Sequence, residues 1–258
     1  MTKTGKKNSK RSVMNKYVFN LLLGYLLLLP CFNAAAQSPY SLNWGRESGL
    51  VGGSVIGIGT SFVLKKNKPT LTPSQITAAM ANPQCPRFEC FVTHNWDTKA
   101  QHFSDILLWG SMTAPLVLFA SPNIRKDAVT SSTIGIETYL VTGALTNLTK
   151  ELFRRKRPFV YNPNAPLSLK MKADATSSFF SGHTSYTASA CFLTAKMYND
   201  YYPNSKLRPY IWTTAALVPA IQAYARVKGG KHFVTDVITG YIIGTAVGIL
   251  IPELHRIK

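Results

Sequence analysis

The stretch Phe233-Val-Thr-Asp-Val-Ile-Thr-Gly-Tyr-Ile-Ile-Gly-Thr-Ala-Val-Gly-Ile-Leu-Ile251 indicates what kind of fold this chain adopts. Its apolar residues do not alternate with polar ones, as they would in a half-buried strand. The segment approaches the roughly 20 apolar residues that a helix needs to cross a bilayer. We therefore predict a long apolar helix here.

Further apolar segments of this kind occupy residues 49–64, 106–120, 129–148, 184–197 and 210–224, and short polar connections separate them. Strand-like alternation is absent, so the sequence predicts an all-α helical bundle of about six core helices. A short surface helix over residues 73–80, opened by Thr72, is expected between the first two.

Membrane insertion is the main open question about this bundle. Segments 106–120, 129–148 and 233–251 come near spanning length, whereas 184–197 and 210–224 are shorter and more polar. We predict a transmembrane bundle because of the long Leu, Ile and Val segments. A soluble secreted bundle is the alternative, and the mean hydropathy of +0.02 favours it.

The first 36 residues differ from the rest. A basic head and apolar residues 17–29 precede Ala34-Ala35-Ala36, which is the pattern of a cleavable secretory signal. We predict a signal peptide over 1–36, with an uncleaved N-terminal membrane anchor as the alternative. Residues 37–258 then form a single domain. Lipidation at Cys31 is disfavoured because Pro30 stands where a small residue is wanted.

Cationic side chains greatly outnumber acidic ones. The chain has 29 Lys and Arg against 11 Asp and Glu, and residues 37–258 keep a net charge of +12. Such a balance attracts polyanions. An exported apolar chain rarely meets nucleic acid, so we expect a phosphorylated lipid and the membrane as partners, and no nucleic acid.

The cysteines suggest an oxidising compartment. Cys85 and Cys90 are close enough in a polar loop to form a disulfide. Cys191 lies in an apolar run and is expected to be a small buried side chain. No histidine pair completes a usual metal spacing, so we expect neither a metal nor another cofactor.

Three short motifs carry candidate chemistry. In the first, Lys150 and Arg157 are two helical turns apart, so we expect both, with Arg154, on one helix face that ends at Pro158. A lysine and a forked guanidinium on one face suit an anion. The alternative is a positive collar at the end of a membrane helix.

The second motif, Ser181-Gly182-His183, opens a predicted helix. Serine is a favoured N-cap, glycine allows close approach to the backbone, and helix N-termini bind phosphate. His183 would stand at this site, although a lone histidine is more often structural.

The third motif places His232 and Asp236 four residues apart on an expected helix face. The carboxylate can then fix one imidazole tautomer and leave the other nitrogen nucleophilic. The turn at Gly229-Gly230 allows Arg226 to fold back towards His232. A histidine–aspartate helix pair without chemistry is the alternative.

In this order, the motifs resemble those of the type 2 phosphatidic acid phosphatase and vanadium haloperoxidase superfamily. That pattern is Lys-x6-Arg-Pro, Pro-Ser-Gly-His and Ser-Arg-x5-His-x3-Asp. The chain departs from it at Phe180 and Ala225, which replace the proline and the serine. The resemblance covers about residues 100–255, and both departures concern loop shape.

The resemblance implies a site at one end of the bundle. It implies that His232 attacks phosphorus to form a phosphohistidine, that Asp236 orients His232, and that His183 protonates the leaving oxygen and then activates water. The implied phosphate ligands are Lys150, Arg157, Ser181, the Gly182 amide and Arg226.

The implied function is a metal-independent phosphatase of a membrane lipid. Candidate substrates are lipid A, undecaprenyl pyrophosphate, phosphatidylglycerol phosphate and phosphatidate. A soluble periplasmic acid phosphatase of broad specificity and a vanadate-dependent haloperoxidase are the alternatives from the same superfamily. A transport or scaffold protein with a decayed site is disfavoured because the catalytic residue types are intact.

We expect the inner membrane, with the site facing the periplasm. The two indicators of orientation disagree. The possible Cys85–Cys90 pair favours the outer side, whereas the basic run Lys65-Lys66-Asn67-Lys68 favours the inner side. With a cleaved signal, a spanning segment 49–64 puts the site inside, and an interfacial or re-entrant one puts it outside.

Overall fold

The computed structural model describes residues 38–257. The expected signal or anchor over 1–36, with Cys31, lies outside this range. Within it all regular structure is helical, apart from one isolated bridge between Tyr40 and Arg256. The all-α prediction is confirmed.

Six helices of 15 residues or more form the bundle in the described range, and each contains or overlaps one predicted segment. They are α1 (Trp44–Lys66), α2 (Thr98–Met112), α3 (Ala128–Phe153), α4 (Gly182–Tyr201), α5 (Arg208–Lys228) and α6 (Val234–His255). Shorter helical pieces lie at Pro73–Ala81, Cys90–His94, Ala114–Ala120, Pro122–Lys126, Pro158–Tyr161, Leu167–Lys170 and Ala173–Thr176. The helix at Pro73–Ala81 begins after Thr72, whose side chain accepts from Gln75 N in a capping box.

The prediction of one continuous helix over 106–120 is wrong. The α-helix starts earlier, where Asp97 accepts from Ala100 N, and it ends at Met112. A 3₁₀ segment, Ala114–Ala120, follows it. Pro115 has no N–H to donate and crowds the preceding turn, so the α-helix cannot continue through it.

Helix α4 is the central helix, and α6 packs closely along it. Three glycines of α6, each one turn apart, face the N-cap serine of α4 and two serines within that helix. A Cβ added at Gly240, Gly244 or Gly248 would lie 2.6, 2.2 or 2.6 Å from a serine carbonyl oxygen of α4. Small residues at this spacing let two backbones approach closely. The stripe thereby fixes the start of α4 against the start of α6, where the second and third motifs lie.

Three helical stretches in the described range are long and apolar enough to cross a membrane. They are Trp44–Lys66, Thr98–Ala120 and Val234–His255. Helix α1 carries large apolar side chains on its surface, such as Ile56 and Phe62. Helix α3, in which residues 129–148 came near spanning length, is not one of these three stretches. Its buried face carries polar residues such as Glu137 and Thr142, which make the helix less apolar.

A cap covers one end of the bundle. We define it as residues 67–97 together with residues 154–181. Its apolar core includes Ile76, Val92, Phe159 and Val160, and Phe233 at the start of α6 packs into the same cluster. The cap therefore lies directly against the third motif.

The cysteine predictions are confirmed. Cys85 and Cys90 form a disulfide within the cap, and Cys191 is free and buried in α4.

Candidate active site

The three motifs meet at the capped end of the bundle. Lys150 lies in the last turn of α3, Ser181 caps the start of α4, Arg226 lies in the last turn of α5, and His232 comes just before α6. In an antiparallel arrangement of short connections, these helix ends share one face of the molecule. The candidate residues, 86 positions apart at their extremes in the chain, thus form one cluster.

The expectation that Lys150, Arg154 and Arg157 share one helix face is wrong. Helix α3 ends at Phe153, because Arg154 adopts a left-handed conformation with φ of 47°. Arg154 is exposed, and its Nε donates to the Glu151 carbonyl. Arg157 lies beyond α3 in extended conformation, where it is the N-cap residue of the short helix Pro158–Tyr161.

Arg157 nevertheless reaches the site, because it is held on one side by Asp174 of the cap and on the other by the segment just before α6. Its Nε donates to the Asp174 carbonyl and its Nη2 contacts Asp174 Oδ1, both at 2.9 Å. Its Nη1 lies 3.1 Å from the Lys231 carbonyl and 2.9 Å from His232 Nε2. Arg157, together with Lys150, keeps the pKa of Asp174 below its usual range although burial opposes this. The guanidinium is thus immobilised beside the candidate nucleophile.

His232 is held with Nε2 as a hydrogen-bond acceptor. A guanidinium only donates, so the contact with Arg157 leaves the lone pair on Nε2 and the proton of the neutral ring on Nδ1. Burial, reinforced by the positive charges of Arg157, Arg226 and Lys150, lowers the pKa of His232 well below its usual range. The ring is therefore neutral near neutral pH, and its Nε2 is unprotonated.

The relation of His232 to Asp236 differs from the expected helix pair. Helix α6 begins at Val234, so only Asp236 is helical. His232 Nδ1 and Asp236 Oδ2 are still 3.6 Å apart. Asp236 Oδ2 also accepts from the Phe233 amide at 2.9 Å and from the Ser178 hydroxyl at 2.5 Å. The carboxylate therefore faces Nδ1, as an orienting acid must.

His183 faces the same cluster from the first turn of α4, and a residue that the sequence did not suggest holds it. Asp105 of α2 has its Oδ1 2.9 Å from His183 Nε2 and 3.4 Å from Arg226 Nη1. Arg226 Nη1 also donates to the Ser104 hydroxyl at 2.9 Å. One carboxylate thus links the second histidine to an expected phosphate ligand.

Lys150 lies directly over Gly182. A Cβ at this glycine would lie 3.0 Å from Lys150 Nζ and 3.1 Å from Thr146 Cγ2. A larger residue here would therefore displace the ammonium group from the start of α4 by a few tenths of an ångström. Ser181 is fully buried, and its hydroxyl contacts Thr184 as the N-cap of that helix.

The two departures from the family pattern are compatible with this geometry. Phe180 is buried, and Ser181 still caps α4 after it. Ala225 is buried within α5, one position before Arg226.

Several site residues were missed in the sequence. They are Glu89, Asp105, Arg155 and Asp174. Arg155 was visible only as part of a basic run. Asp105 stands alone at the edge of an apolar segment, which is a weak signal.

Lys231 adds a further cation beside the nucleophile. Its Nζ lies over the rings of Trp96 and Phe159, 5.2 and 5.0 Å from their centroids. Burial, followed by the charges of Arg226 and Arg157, lowers the pKa of Lys231 to about 8.

Comparison with known proteins agrees with the motif cluster. Residues 132–257 match the family model described as the PAP2 superfamily. A lipid A 4'-phosphatase of Porphyromonas gingivalis is 31% identical over 77 residues, which are 30% of this chain and 29% of that protein. The chain therefore aligns with less than a third of this relative's length.

A solved structure is also similar, the crystal structure of a transmembrane PAP2-type phosphatidylglycerolphosphate phosphatase from Bacillus subtilis. It has a TM-score of 0.44 and 22% identity, covering 78% of this chain and 94% of that one. All the residues of the three motifs fall inside the segment that matches the family model. Residues 132–257 of this chain belong to the PAP2 superfamily.

Proposed function

We propose that this protein is a phosphatase that hydrolyses a phosphomonoester or pyrophosphate of a membrane lipid through a phosphohistidine intermediate. One observation carries the proposal. A buried, neutral histidine, His232, presents its unprotonated Nε2 2.9 Å from the Arg157 guanidinium. Lys150 and Arg226 are close enough to act on the same ring electrostatically. This is a nucleophile inside an anion-binding cluster.

In this mechanism, phosphoryl oxygens replace His232 Nε2 as the acceptor of the Arg157 donors. The freed Nε2 attacks phosphorus, and the bond to the leaving oxygen breaks. The developing charge on the equatorial oxygens is shared among Lys150, Arg157, Arg226 and the amide at the start of α4. Asp236 stabilises the positive charge that the phosphorylated ring acquires, because it faces Nδ1 at 3.6 Å.

His183 is the candidate proton donor to the leaving oxygen. Burial lowers the pKa of His183 to about 4 although Asp105, which accepts from its Nε2 at 2.9 Å, opposes this, so the ring is neutral in the empty site. It takes up a proton when the phosphate binds, because the negative charge of the phosphate favours the imidazolium form. After the alcohol or phosphate leaves, the neutral ring takes a proton from water, which then attacks the phosphohistidine. Both histidines end the cycle in their starting states, and one water is consumed.

A lipid substrate is favoured by the surroundings of the site. Leu152 and Phe153, two and three residues after Lys150, are 63% and 65% exposed. Apolar side chains at the end of a bundle with spanning helices can contact acyl chains while the phosphate enters the cluster. The similarity to a lipid A 4'-phosphatase supports the same substrate class.

We further propose a single domain over residues 37–258 and a site that faces the periplasm. The Cys85–Cys90 disulfide supports this orientation, because it lies in the cap beside the site and disulfides persist in oxidising compartments. If α1 crosses the bilayer completely, an outer site requires the start of α1 on the inner side, which a signal cleaved before Gln37 does not allow. Orientation and signal cleavage can therefore be tested together.

The decisive experiment is phosphate release by the full chain, purified in detergent, from a panel of lipid phosphates. The panel contains the four candidate lipids and the water-soluble p-nitrophenyl phosphate. Preference for one lipid supports the proposal. Turnover of p-nitrophenyl phosphate alone, with extraction from cells without detergent, would instead support a soluble acid phosphatase. No release from any substrate by folded protein would refute phosphatase activity.

A further inference from the structure

Two charged residues outside the family's three-part pattern are linked to the orienting acid Asp236, Arg155 by direct contact and Glu89 through Arg155. Glu89 lies in the cap, directly before Cys90 of the disulfide, and is fully buried. Arg155 follows the left-handed turn at Arg154 and is partly buried. They connect the disulfide loop with the start of α6.

Arg155 bridges two carboxylates. Its Nη2 lies 2.5 Å from Glu89 Oε1, and its Nη1 lies 2.6 Å from Asp236 Oδ1. Nη1 also donates to the Thr235 hydroxyl at 2.7 Å, and the guanidinium carbon lies 4.3 Å from the centroid of the Phe233 ring. A planar guanidinium held by stacking and by two carboxylates has one orientation.

Glu89 in turn fixes the first turn of α6. Its Oε2 accepts from the Thr235 amide at 3.0 Å and contacts the Thr235 hydroxyl at 2.9 Å. The carboxylate thereby satisfies a free N–H at the helix start, where negative charge is favourable.

Both oxygens of Asp236 also have partners other than His232. Oδ1 contacts Arg155, and Oδ2 accepts from the Phe233 amide and the Ser178 hydroxyl. Rotation of the carboxylate would break several charge-assisted contacts in a buried position. Its distance to His232 Nδ1 therefore depends on Arg155 as well as on the helix.

We propose that Glu89 and Arg155 are positioning residues that hold Asp236 against His232, and through it set the charge state and aim of the nucleophile. This rests on the proposed phosphatase function of the same site. Neither residue touches the phosphate in the proposed mechanism. Their role is to fix one carboxylate and to balance its charge.

The electrostatic consequences of removing each residue are opposite. Loss of the Arg155 charge leaves Asp236 less neutralised, which favours the imidazolium form of His232. Loss of the Glu89 charge leaves Arg155 less neutralised, which disfavours it. The charged and titratable groups that face His232 are Arg157, Arg226, Lys150, His183, Asp174 and Asp236.

The test compares Arg155→Gln, Arg155→Lys and Glu89→Gln with the matched control Arg154→Gln in the full chain. Arg154 is the neighbouring arginine, exposed and turned away from the site. For each purified protein, kcat, KM and the pH profile of kcat/KM are measured with p-nitrophenyl phosphate and with the preferred lipid. Circular dichroism and thermal unfolding establish that each protein is folded.

We expect kcat of Arg155→Gln to fall about tenfold to a hundredfold with little change in KM, because a small misplacement of the nucleophile is costly. The acid limb of the kcat/KM profile of Arg155→Gln should move to higher pH. The acid limb of the Glu89→Gln profile should move to lower pH. Arg155→Lys is intermediate, since one ammonium cannot bridge both carboxylates. A purely structural role would reduce the amount of folded protein without moving either limb.

A folded Arg155→Gln with the kcat and acid limb of Arg154→Gln overturns the proposal. If Arg155→Gln does not fold, the test rests on Glu89→Gln. The proposal is then overturned if kcat and the acid limb of that variant equal those of the parent protein. Inactivity of the parent protein on every substrate would instead refute the proposed function, and this outcome is visible before any variant is compared.

Discussion

Arg157 Nη1 lies 2.9 Å from His232 Nε2. Because a guanidinium can only donate, this contact requires that Nε2 be the imidazole nitrogen with the lone pair. Arg157 itself is fixed by Asp174, seventeen residues further along the chain. The proposed nucleophile is therefore oriented by a residue that also suits a phosphoryl oxygen.

Replacement of His232 should remove chemistry and leave the fold intact. We expect His232→Ala to lower kcat by about a thousandfold or more, as for other enzymes that lose a nucleophile. Thermal unfolding should still be cooperative, because the removed ring leaves a cavity lined partly by polar groups. Phosphate release within a few-fold of the parent would exclude His232 as the nucleophile.

The low pKa of His232 predicts the acid limb of activity. The neutral ring is the nucleophile, so activity is retained as the pH falls until it passes through the lowered pKa of the folded protein. The acid limb of kcat/KM should therefore lie below about pH 6.5, the ordinary histidine value. Measurement over a pH series in constant ionic strength checks this. A limb at or above the ordinary value would contradict the neutral, desolvated ring.

Gly182→Ala should reduce activity more than stability. The new methyl group would meet the far end of Lys150, 3.0 Å away, and a flexible side chain can move aside. The ammonium is then displaced by a few tenths of an ångström from the start of α4, and we expect kcat/KM to fall by up to about tenfold. The control is Gly49→Ala in α1, where an added Cβ meets nothing within 4 Å. Equal activity of the two variants would show that the position of Lys150 is not critical.

Orthovanadate should inhibit, whereas EDTA should not. Vanadate adopts the five-coordinate geometry of phosphoryl transfer, and the cluster of Lys150, Arg157 and Arg226 can neutralise it without further cations. Initial rates with each reagent on the preferred substrate decide the point. Strong inhibition by EDTA that a divalent ion reverses would contradict the proposed mechanism.

A cysteine at Asn164 should report the side of the membrane that the site faces. Asn164 is exposed in the cap. The background carries Cys31→Ser and Cys191→Ser and keeps the Cys85–Cys90 disulfide, which does not react with maleimide. We expect an impermeant maleimide to label Asn164→Cys when only the outer membrane is permeabilised. Labelling only after the inner membrane is broken would place the site in the cytoplasm.

The N-terminus can be assigned in the same cells. Mass spectrometry of the purified chain shows whether it starts at Met1 or at Gln37. A chain that starts at Gln37 and has an outer site would require α1 not to cross the bilayer.

The sequence by itself determined the helices and the order of the motifs. Apolar runs such as 233–251 are local signals, because burial or lipid contact of a helix depends on residues close in the chain. The Lys150, His183 and His232 motifs were equally local, since the spacing within each motif is short. The disulfide between Cys85 and Cys90 was also predictable, because five residues of separation keep two cysteines within reach.

The tertiary structure decided which charges meet. Arg154 adopts a left-handed conformation that ends α3. The positions of Arg155 and Arg157 therefore do not follow from helical spacing. Asp105 reaches His183 across 78 positions, and Glu89 reaches Thr235 across 146. Such pairings depend on how α2, the cap and α6 pack, and packing is set by many distant residues at once. The sequence therefore determined which residues are candidate reacting groups, and the packing of the cap on the bundle determined how they are held.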